Sequence, residues 1–262
     1  VKYCTIFLFI LLFFYPAAET ECFSIWPKGP HRIYLGPDSF HLKRTKKGGA
    51  KQKGWLNGVY GAYERRPHGG VYTIFDGYYA QGSLKGETAA GNTLKSKMTD
   101  KKIEGRLGYS FCIQSWKKLT LIPYGGYGYS NCKNAFKAPS PLTNTYTEYF
   151  NYASAGFEIS FSPCNALECG LNFNTDFMIE GKSKIEDDVD DETFRLLIEN
   201  KNQYEIDLLF RYYTHYNEKA FTIIASPFYQ QRHYGGMKNF PFDFIDTKFQ
   251  IFGIRLLINL CF

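Results

Sequence analysis

Large apolar and polar or small side chains alternate along much of this chain with a period of two, the signature of β-strands with one greasy face. The last eleven residues illustrate it: Phe252, Ile254, Leu256, Ile258 and Leu260 share one face, and Phe262 ends the sequence. The same division recurs three more times in the middle of the chain. Leu107, Tyr109 and Phe111 oppose Glu104, Arg106, Gly108 and Ser110; Ala155, Phe157 and Ile159 oppose Ser154, Gly156, Glu158 and Ser160; Leu171, Phe173, Thr175, Phe177 and Ile179 oppose Asn172, Asn174, Asp176 and Glu180. A further segment sets Ile206, Leu208, Phe210 and Tyr212 against Glu205, Asp207, Leu209 and Arg211. Apolar residues outside and polar residues inside are the pattern of a transmembrane barrel, whose wall meets hydrocarbon and whose lumen does not.

Ten segments carry some form of this pattern: residues 39–46, 55–65, 71–80, 103–113, 119–131, 153–161, 169–180, 204–212, 220–232 and 248–262. The first is the weakest, preceded by Pro37 and crowded by Lys43 and Arg44, so an eight-stranded barrel is the alternative. Pro123 and Pro227 fall inside two others, where a missing N–H predicts an edge or a bulge. The connections at 65–70, 114–117, 162–168 and 214–219 are short; those at 81–100, 132–146, 181–203 and 233–247 are long. Short turns on one side and long loops on the other, with an even strand number, predict a closed antiparallel transmembrane β-barrel with periplasmic turns and extracellular loops. In that arrangement Phe262, Leu260, Ile258 and Leu256 form the terminal signal read by the outer-membrane assembly machinery.

Composition agrees: aromatics make up 18% of the 262 residues, with 21 Tyr and 24 Phe, and rings are favoured where a barrel wall crosses the headgroup layers. The apolar stretch Tyr3 to Tyr15 behind Lys2, followed by Pro16-Ala17-Ala18 and then Glu19, has the three parts of a secretory signal peptide over residues 1–18. Residues 19–38 are expected to form a periplasmic arm and 39–262 the barrel. Export to an oxidising space makes cysteine pairing relevant. Cys164 and Cys169 flank a predicted hairpin turn and are a candidate disulfide; the five scattered histidines give neither of them a metal partner at ligand spacing.

The polar face assigns Glu104, Arg106, Glu158, Asp176, Glu205, Asp207, Arg211 and Arg255 to the lumen, joined by Glu64, Asp76 and Glu180. At ten strands side chains come close to filling a barrel, so a charge-paired plug is the favoured reading and a narrow cation-preferring passage the runner-up. Lys43, Arg44, Lys46, Lys47, Lys51 and Lys53 predict a basic loop at the rim, reinforced by Lys95, Lys97, Lys101 and Lys102, which would attract lipopolysaccharide phosphates or sulfated host glycans. An acidic run, Glu186 to Glu192, lacks the spacing and central glycine of an EF-hand. The formal net charge of +6 raises nucleic-acid binding, but the basic residues lie in predicted loops of an exported chain and no nucleic-acid motif is present. No cofactor motif is found. For catalysis, only His233 stands at a strand top, with no acid beside it in sequence, whereas omptin-type barrel proteases use paired acids and a His–Asp couple at the extracellular rim. The expectation is a non-enzymatic protein.

The stretch 40–55, with Lys43-Arg44-Thr45-Lys46-Lys47-Gly48-Gly49 and Trp55, followed by Tyr60-Gly61-Ala62-Tyr63-Glu64-Arg65-Arg66-Pro67 and Gly69-Gly70-Val71-Tyr72, resembles the opening of small barrels of chlamydia-related bacteria, the Protochlamydia-type outer membrane proteins. That resemblance implies an envelope protein of an intracellular Gram-negative bacterium. It also implies cysteine cross-linking in the envelope and, for some members, porin activity. It supplies no catalytic residues. The expected partners are outer-membrane lipid and lipopolysaccharide, the outer-membrane assembly machinery, and other envelope proteins or a host surface.

Overall fold

The computed structural model describes residues 30–113, 119–141, 143–186, 193–216, 219–236 and 246–261. They form ten antiparallel strands: β1 His31–Lys46, β2 Lys51–Arg65, β3 Gly70–Glu87, β4 Thr93–Ile113, β5 Leu119–Lys137, β6 Thr145–Cys164, β7 Leu167–Glu186, β8 Thr193–Tyr216, β9 Lys219–Gly236 and β10 Thr247–Cys261. Each strand pairs with its neighbours in sequence and β1 pairs with β10, so the sheet closes with no free edge. Closure lets every strand satisfy its backbone groups within the wall, as a protein in hydrocarbon must. The choice between eight strands and ten falls to ten. The predicted arm is shortened, because 31–38 belong to β1. The leader, Cys22, Phe262 and most of the acidic run lie outside the described residues.

The strands are much longer than the apolar alternation suggested. Most of the predicted long loops turn out to be ladder, and the connections at that end are 47–50, 88–92, 138–144, 187–192 and 237–246. The reason is visible in β4. From Ile103 to Ile113 the outward residues are apolar, but from Thr93 to Lys101 they are Thr and Lys, while inward Leu94, Met98 and Asp100 remain buried. Pairing continues above the bilayer; only the lipid contact stops. The extended wall therefore stands in water with a polar exterior.

Three of the four strand prolines, Pro37, Pro123 and Pro227, are accommodated the same way; the fourth, Pro163, falls in the register shift at the end of β6 between the Phe161–Cys169 and Cys164–Leu167 pairs. Pro37 pairs with Val59 but interrupts β1–β10 between the Leu35–Ile258 and Asp38–Arg255 pairs. Pro123 pairs with Phe157 and interrupts β4–β5; Pro227 pairs with Ile254 and interrupts β8–β9. A residue without an N–H loses its ladder on one side only, so the barrel tolerates each as a local gap between strands that stay adjacent.

The outer belt is carried by residues such as Phe75, Leu107, Phe177 and, on β10, Phe252, Ile254, Leu256, Ile258 and Leu260, which are 42–61% exposed. From residue 252 to 260 the stripe runs about 26 Å along the strand, enough to cross the apolar band of a tilted barrel strand. A soluble protein would not leave such a continuous apolar band in water.

Candidate functional site

The lumen is the place where the sequence concentrates charge, and the ladder registers sort that charge into three tiers. Nearest the short turns, Arg32, Arg66 and Arg211 meet Glu64, Glu158 and Glu168. Arg66 reaches Glu168 at 2.9 Å and donates to Ser160 Oγ at 2.7 Å, and it also contacts Glu158. Arg211 bridges the same two acids at 2.9 and 2.7 Å, and the Tyr213 hydroxyl donates to Glu168 at 2.5 Å. Three cations face three carboxylates, and every one is buried.

The middle tier is unequal. Arg106 lies 3.0 Å from both Asp76 and Glu104, Lys102 lies 3.1 Å from both Glu104 and Asp176, and Arg255 reaches Asp207 at 2.8 Å and Glu205 at 2.9 Å, with Asp38 at 3.9 Å. Six carboxylates thus share three cations. Neutral donors take up part of the excess: Tyr60 to Asp76 at 2.8 Å, Asn172 to Asp207 at 2.7 Å, Asn174 to Asp176 at 2.8 Å and Ser154 to Glu104 at 2.5 Å. Between the lower and middle tiers is a cavity of about 80 Å³ bounded by Glu64, Asp76, Arg106, Glu158, Asp207 and Arg255, room for a handful of waters in a polar chamber.

Above the middle tier the lumen turns apolar. Phe40, Leu42, Leu56, Leu84, Met98, Phe150, Phe228, Phe249 and Ile251 interlock across the interior, all buried. Glycines opposite make the space: a Cβ on Gly128 would sit 2.2 Å from the Tyr152 hydroxyl, and one on Gly253 would meet the Phe228 ring at 2.5 Å. The upper tier is interleaved with this plug. Arg232 grips Asp100 through both guanidinium nitrogens at 3.0 and 2.9 Å, Tyr78 donates to the same carboxylate at 2.7 Å, and Arg44 faces Glu148 at 3.5 Å.

All eight residues predicted for the lumen point inward, as do Glu64 and Asp76. Glu180 does not. A register shift places Asn151 opposite Glu180 but Tyr152 opposite Met178, so Ile179 is an extra residue and the parity of β7 reverses above it. Glu180 consequently faces outward and pairs with Lys182 at 2.6 Å. The alternation missed Glu168, Arg32, Arg66, Asp100 and Asp38, which lie beyond the assumed strand ends, and Arg232, the last residue of the ninth predicted strand. Extending each strand's own inward parity past its assumed ends would have found most of them.

The predicted basic loop is not one surface. Arg44 is buried inside against Glu148, Lys46 lies over the Tyr146 ring at 4.1 Å, and Lys47 is in the turn, whereas Lys43, Lys51 and Lys53 project outward from β1 and β2. Lys95, Lys97 and Lys101 likewise project outward from β4, and Lys102 inward. The candidate disulfide is not formed. Cys164 pairs with Leu167 and Cys169 with Phe161 across a two-residue turn, a shifted register that leaves the sulfurs off a common rung, and both thiols are free. Cys112 is exposed at the same end of the barrel; Cys132 is buried in the lumen.

His233 does have an acid partner, Asp246, at 2.8 Å, supplied by the approach to β10. It stands between inward Arg232 and Tyr234, so this couple faces the outside of the wall, away from the mouth of the lumen. Among the described residues no group of three His, Cys, Asp or Glu side chains has metal-binding geometry.

A closed cylinder with a lipid-compatible outer belt is a membrane-spanning β-barrel. No family model and no curated protein matches the sequence. Among solved structures, the chain is similar to the outer membrane protease OmpT from Escherichia coli, with 11% identity and a TM-score of 0.58 over 93% of this chain and 99% of that one. Weaker likenesses are the transport unit of the autotransporter AIDA-I from Escherichia coli (11% identity, 96% and 94% covered, TM-score 0.46) and the Pseudomonas putida toluene transporter TodX (10%, 90% and 90%, 0.38). At these identities the likeness concerns the fold, that of outer-membrane barrels, and transfers no activity.

Proposed function

We propose that this chain is an exported outer-membrane protein of a Gram-negative bacterium whose barrel is a closed scaffold with a structural or surface-interaction role. The observation that carries this is the filled lumen: an apolar plug lies across the barrel above two ion-paired tiers, and the space left between those tiers is about 80 Å³. Ten strands sit near the end of the size range at which side chains fill the interior, far from the sixteen or so at which an aqueous channel opens. The role is then exercised by the outer wall and the extracellular end; a non-enzymatic reading is supported by the His233–Asp246 couple, which faces away from the mouth. The resemblance of residues 40–72 to Protochlamydia-type proteins supports an envelope setting.

A second reading, a narrow cation-preferring passage, is favoured by one observation, the six carboxylates and three cations of the middle tier. Planar-bilayer recording on the refolded chain separates the two. The closed scaffold predicts a silent membrane; steady unitary currents that shrink in Asp176→Asn or Asp207→Asn would establish the passage instead. Heat-modifiable gel mobility of the same preparation reports whether the barrel is formed.

A further inference from the structure

On the outer wall above the belt, five lysines stand directly opposite one another across five consecutive strands. Lys43 of β1 pairs with Lys53 of β2, Lys53 with Lys85 of β3, Lys85 with Lys95 of β4, and Lys95 with Lys137 of β5. All five are exposed. Like charges directly opposed across a ladder destabilise a sheet, and at a strand spacing near 4.8 Å the row is about 19 Å long. No ion pair involves these five among the described residues, and Glu87 is the one carboxylate on the neighbouring outward positions of β1–β5. The lysines of β7 differ: Lys182 and Lys184 each have a glutamate on their own strand, Glu180 and Glu186. An unneutralised row on one side of the barrel, where the other side supplies its own acids, is a surface arranged for an anion.

The position of the row relative to the belt selects the anion. On β2 the row lies one outward position above the belt residue Trp55. On β3 it lies three above Tyr79, and on β4 four above Ile103. Because the strands of such barrels tilt by roughly 35–45°, the row climbs away from the belt between β2 and β4; on β1 Lys43 stands four outward positions above the belt residue Leu35, past Pro37, Ser39 and His41. Lys101, lying 5.3 Å from the Tyr79 ring centre, adds a further cation at the belt's upper edge. A ligand matching this path has acyl chains against the belt and several negative groups at increasing height.

We infer that the outer face of β1–β5 binds lipopolysaccharide, its acyl chains on the apolar belt and the phosphate and carboxylate groups of its inner saccharide along the row Lys43–Lys53–Lys85–Lys95–Lys137. This rests on the outer-membrane reading above. A sulfated glycan arriving from solution would match the charge but not the row's approach to the belt at Trp55.

The test uses the full mature chain in phosphatidylcholine nanodiscs, titrated with fluorescent lipopolysaccharide bearing a phosphorylated inner core. With each lysine near a charged surface contributing about fivefold in affinity, the triple variant Lys53→Gln/Lys85→Gln/Lys95→Gln should bind at least tenfold more weakly. The same loss should follow chemical dephosphorylation of the lipid and 0.5 M salt, and Lys182→Gln/Lys184→Gln should bind like the unaltered chain. Relief of repulsion predicts that the triple variant still gives the heat-modifiable barrel, so weaker binding is not misfolding. Binding within twofold of the unaltered chain by the triple variant, or heparin binding as tightly as lipopolysaccharide, overturns the inference while leaving the scaffold reading intact. Failure of the unaltered chain to insert and show heat-modifiable mobility overturns the outer-membrane reading, and this inference with it.

Discussion

Replacing Arg255 by methionine tests whether the lumen is closed to bulk water. The guanidinium reaches Asp207 at 2.8 Å and Glu205 at 2.9 Å, sits 4.0 Å from the centre of the Phe228 ring, and is the nearest cation to Asp38. Methionine keeps the packing against Phe228 and removes the charge, which leaves the middle tier with six carboxylates and two cations. Removing one partner of a buried, hydrogen-bonded pair costs about 3–5 kcal/mol, because the remaining charge is left without compensation. In a water-filled pore the same pair would be screened and worth about 1 kcal/mol or less. Urea unfolding of the inserted barrel, followed by tryptophan fluorescence, reads this difference. A plugged lumen predicts a loss of about 3 kcal/mol or more for Arg255→Met. Part of that loss should be recovered in Arg255→Met/Asp207→Asn, where one orphaned charge is gone. A loss under about 1 kcal/mol, with no recovery in the double variant, would mean that water surrounds these groups, and the closed-scaffold argument would fail.

The remaining predictions bear on the plug, its packing and the thiols. Truncating Phe40, Phe228 and Phe249 together to alanine removes the middle of the apolar plug and should convert a silent bilayer into one with small unitary currents, preferring cations because they then pass the acid-rich tier; silence in that variant would place the seal elsewhere. Gly128→Val puts carbon where the Tyr152 hydroxyl lies and should destabilise the barrel by about 1–3 kcal/mol in the same urea assay. Gly91→Ala, whose added carbon meets nothing within 4 Å, should cost less, the strain of its φ of +79° excepted. A membrane-impermeant maleimide offered from the short-turn side should label Cys112 and Cys164 readily, leave Cys132 unlabelled until unfolding, and peptide mapping should find no Cys164–Cys169 bridge.

How much of this was legible in the sequence follows from what alternation records. Where the outer residue touches lipid, as in Leu107, Tyr109 and Phe111, the contrast with inward Glu104, Arg106 and Ser110 is strong, and both strand and facing were readable. Above the bilayer the outer residue is Lys95 or Lys97 and the inner one Ser96 or Met98, so the contrast weakens or inverts although the ladder is unbroken. The apolar plug was invisible for the same reason, since Leu42, Leu56, Leu84 and Met98 sit at inward positions that the rule reserves for polar groups. His233 has no acid near it in sequence because Asp246 is thirteen residues away, and only the register that pairs Tyr234 with Thr247 brings them together. The parity reversal at Ile179 left no sequence signal at all: Phe177, Ile179 and Glu180 read as a continuation of the stripe.

These placements also decide where this chain can meet a partner. Every described strand is bonded on both sides, so no edge is offered to a partner strand. Large inward groups are engaged with one another, Arg232 with Asp100 and Arg211 with Glu158 and Glu168, so the interior presents few groups for recognition. At the lower end the described connections, 66–69 and 165–166, are short turns. Among the described residues, what remains is the wall above the belt, which β3–β6 raise by several rungs beyond what crossing a membrane requires. Building that wall in water gains no lipid contact, and lining one arc of it with mutually repelling lysines costs stability. A scaffold alone needs neither feature. Both become intelligible if the wall's outer surface is where the protein meets its anionic surroundings, which is why the lysine row, and not the lumen, is the place to look for a ligand.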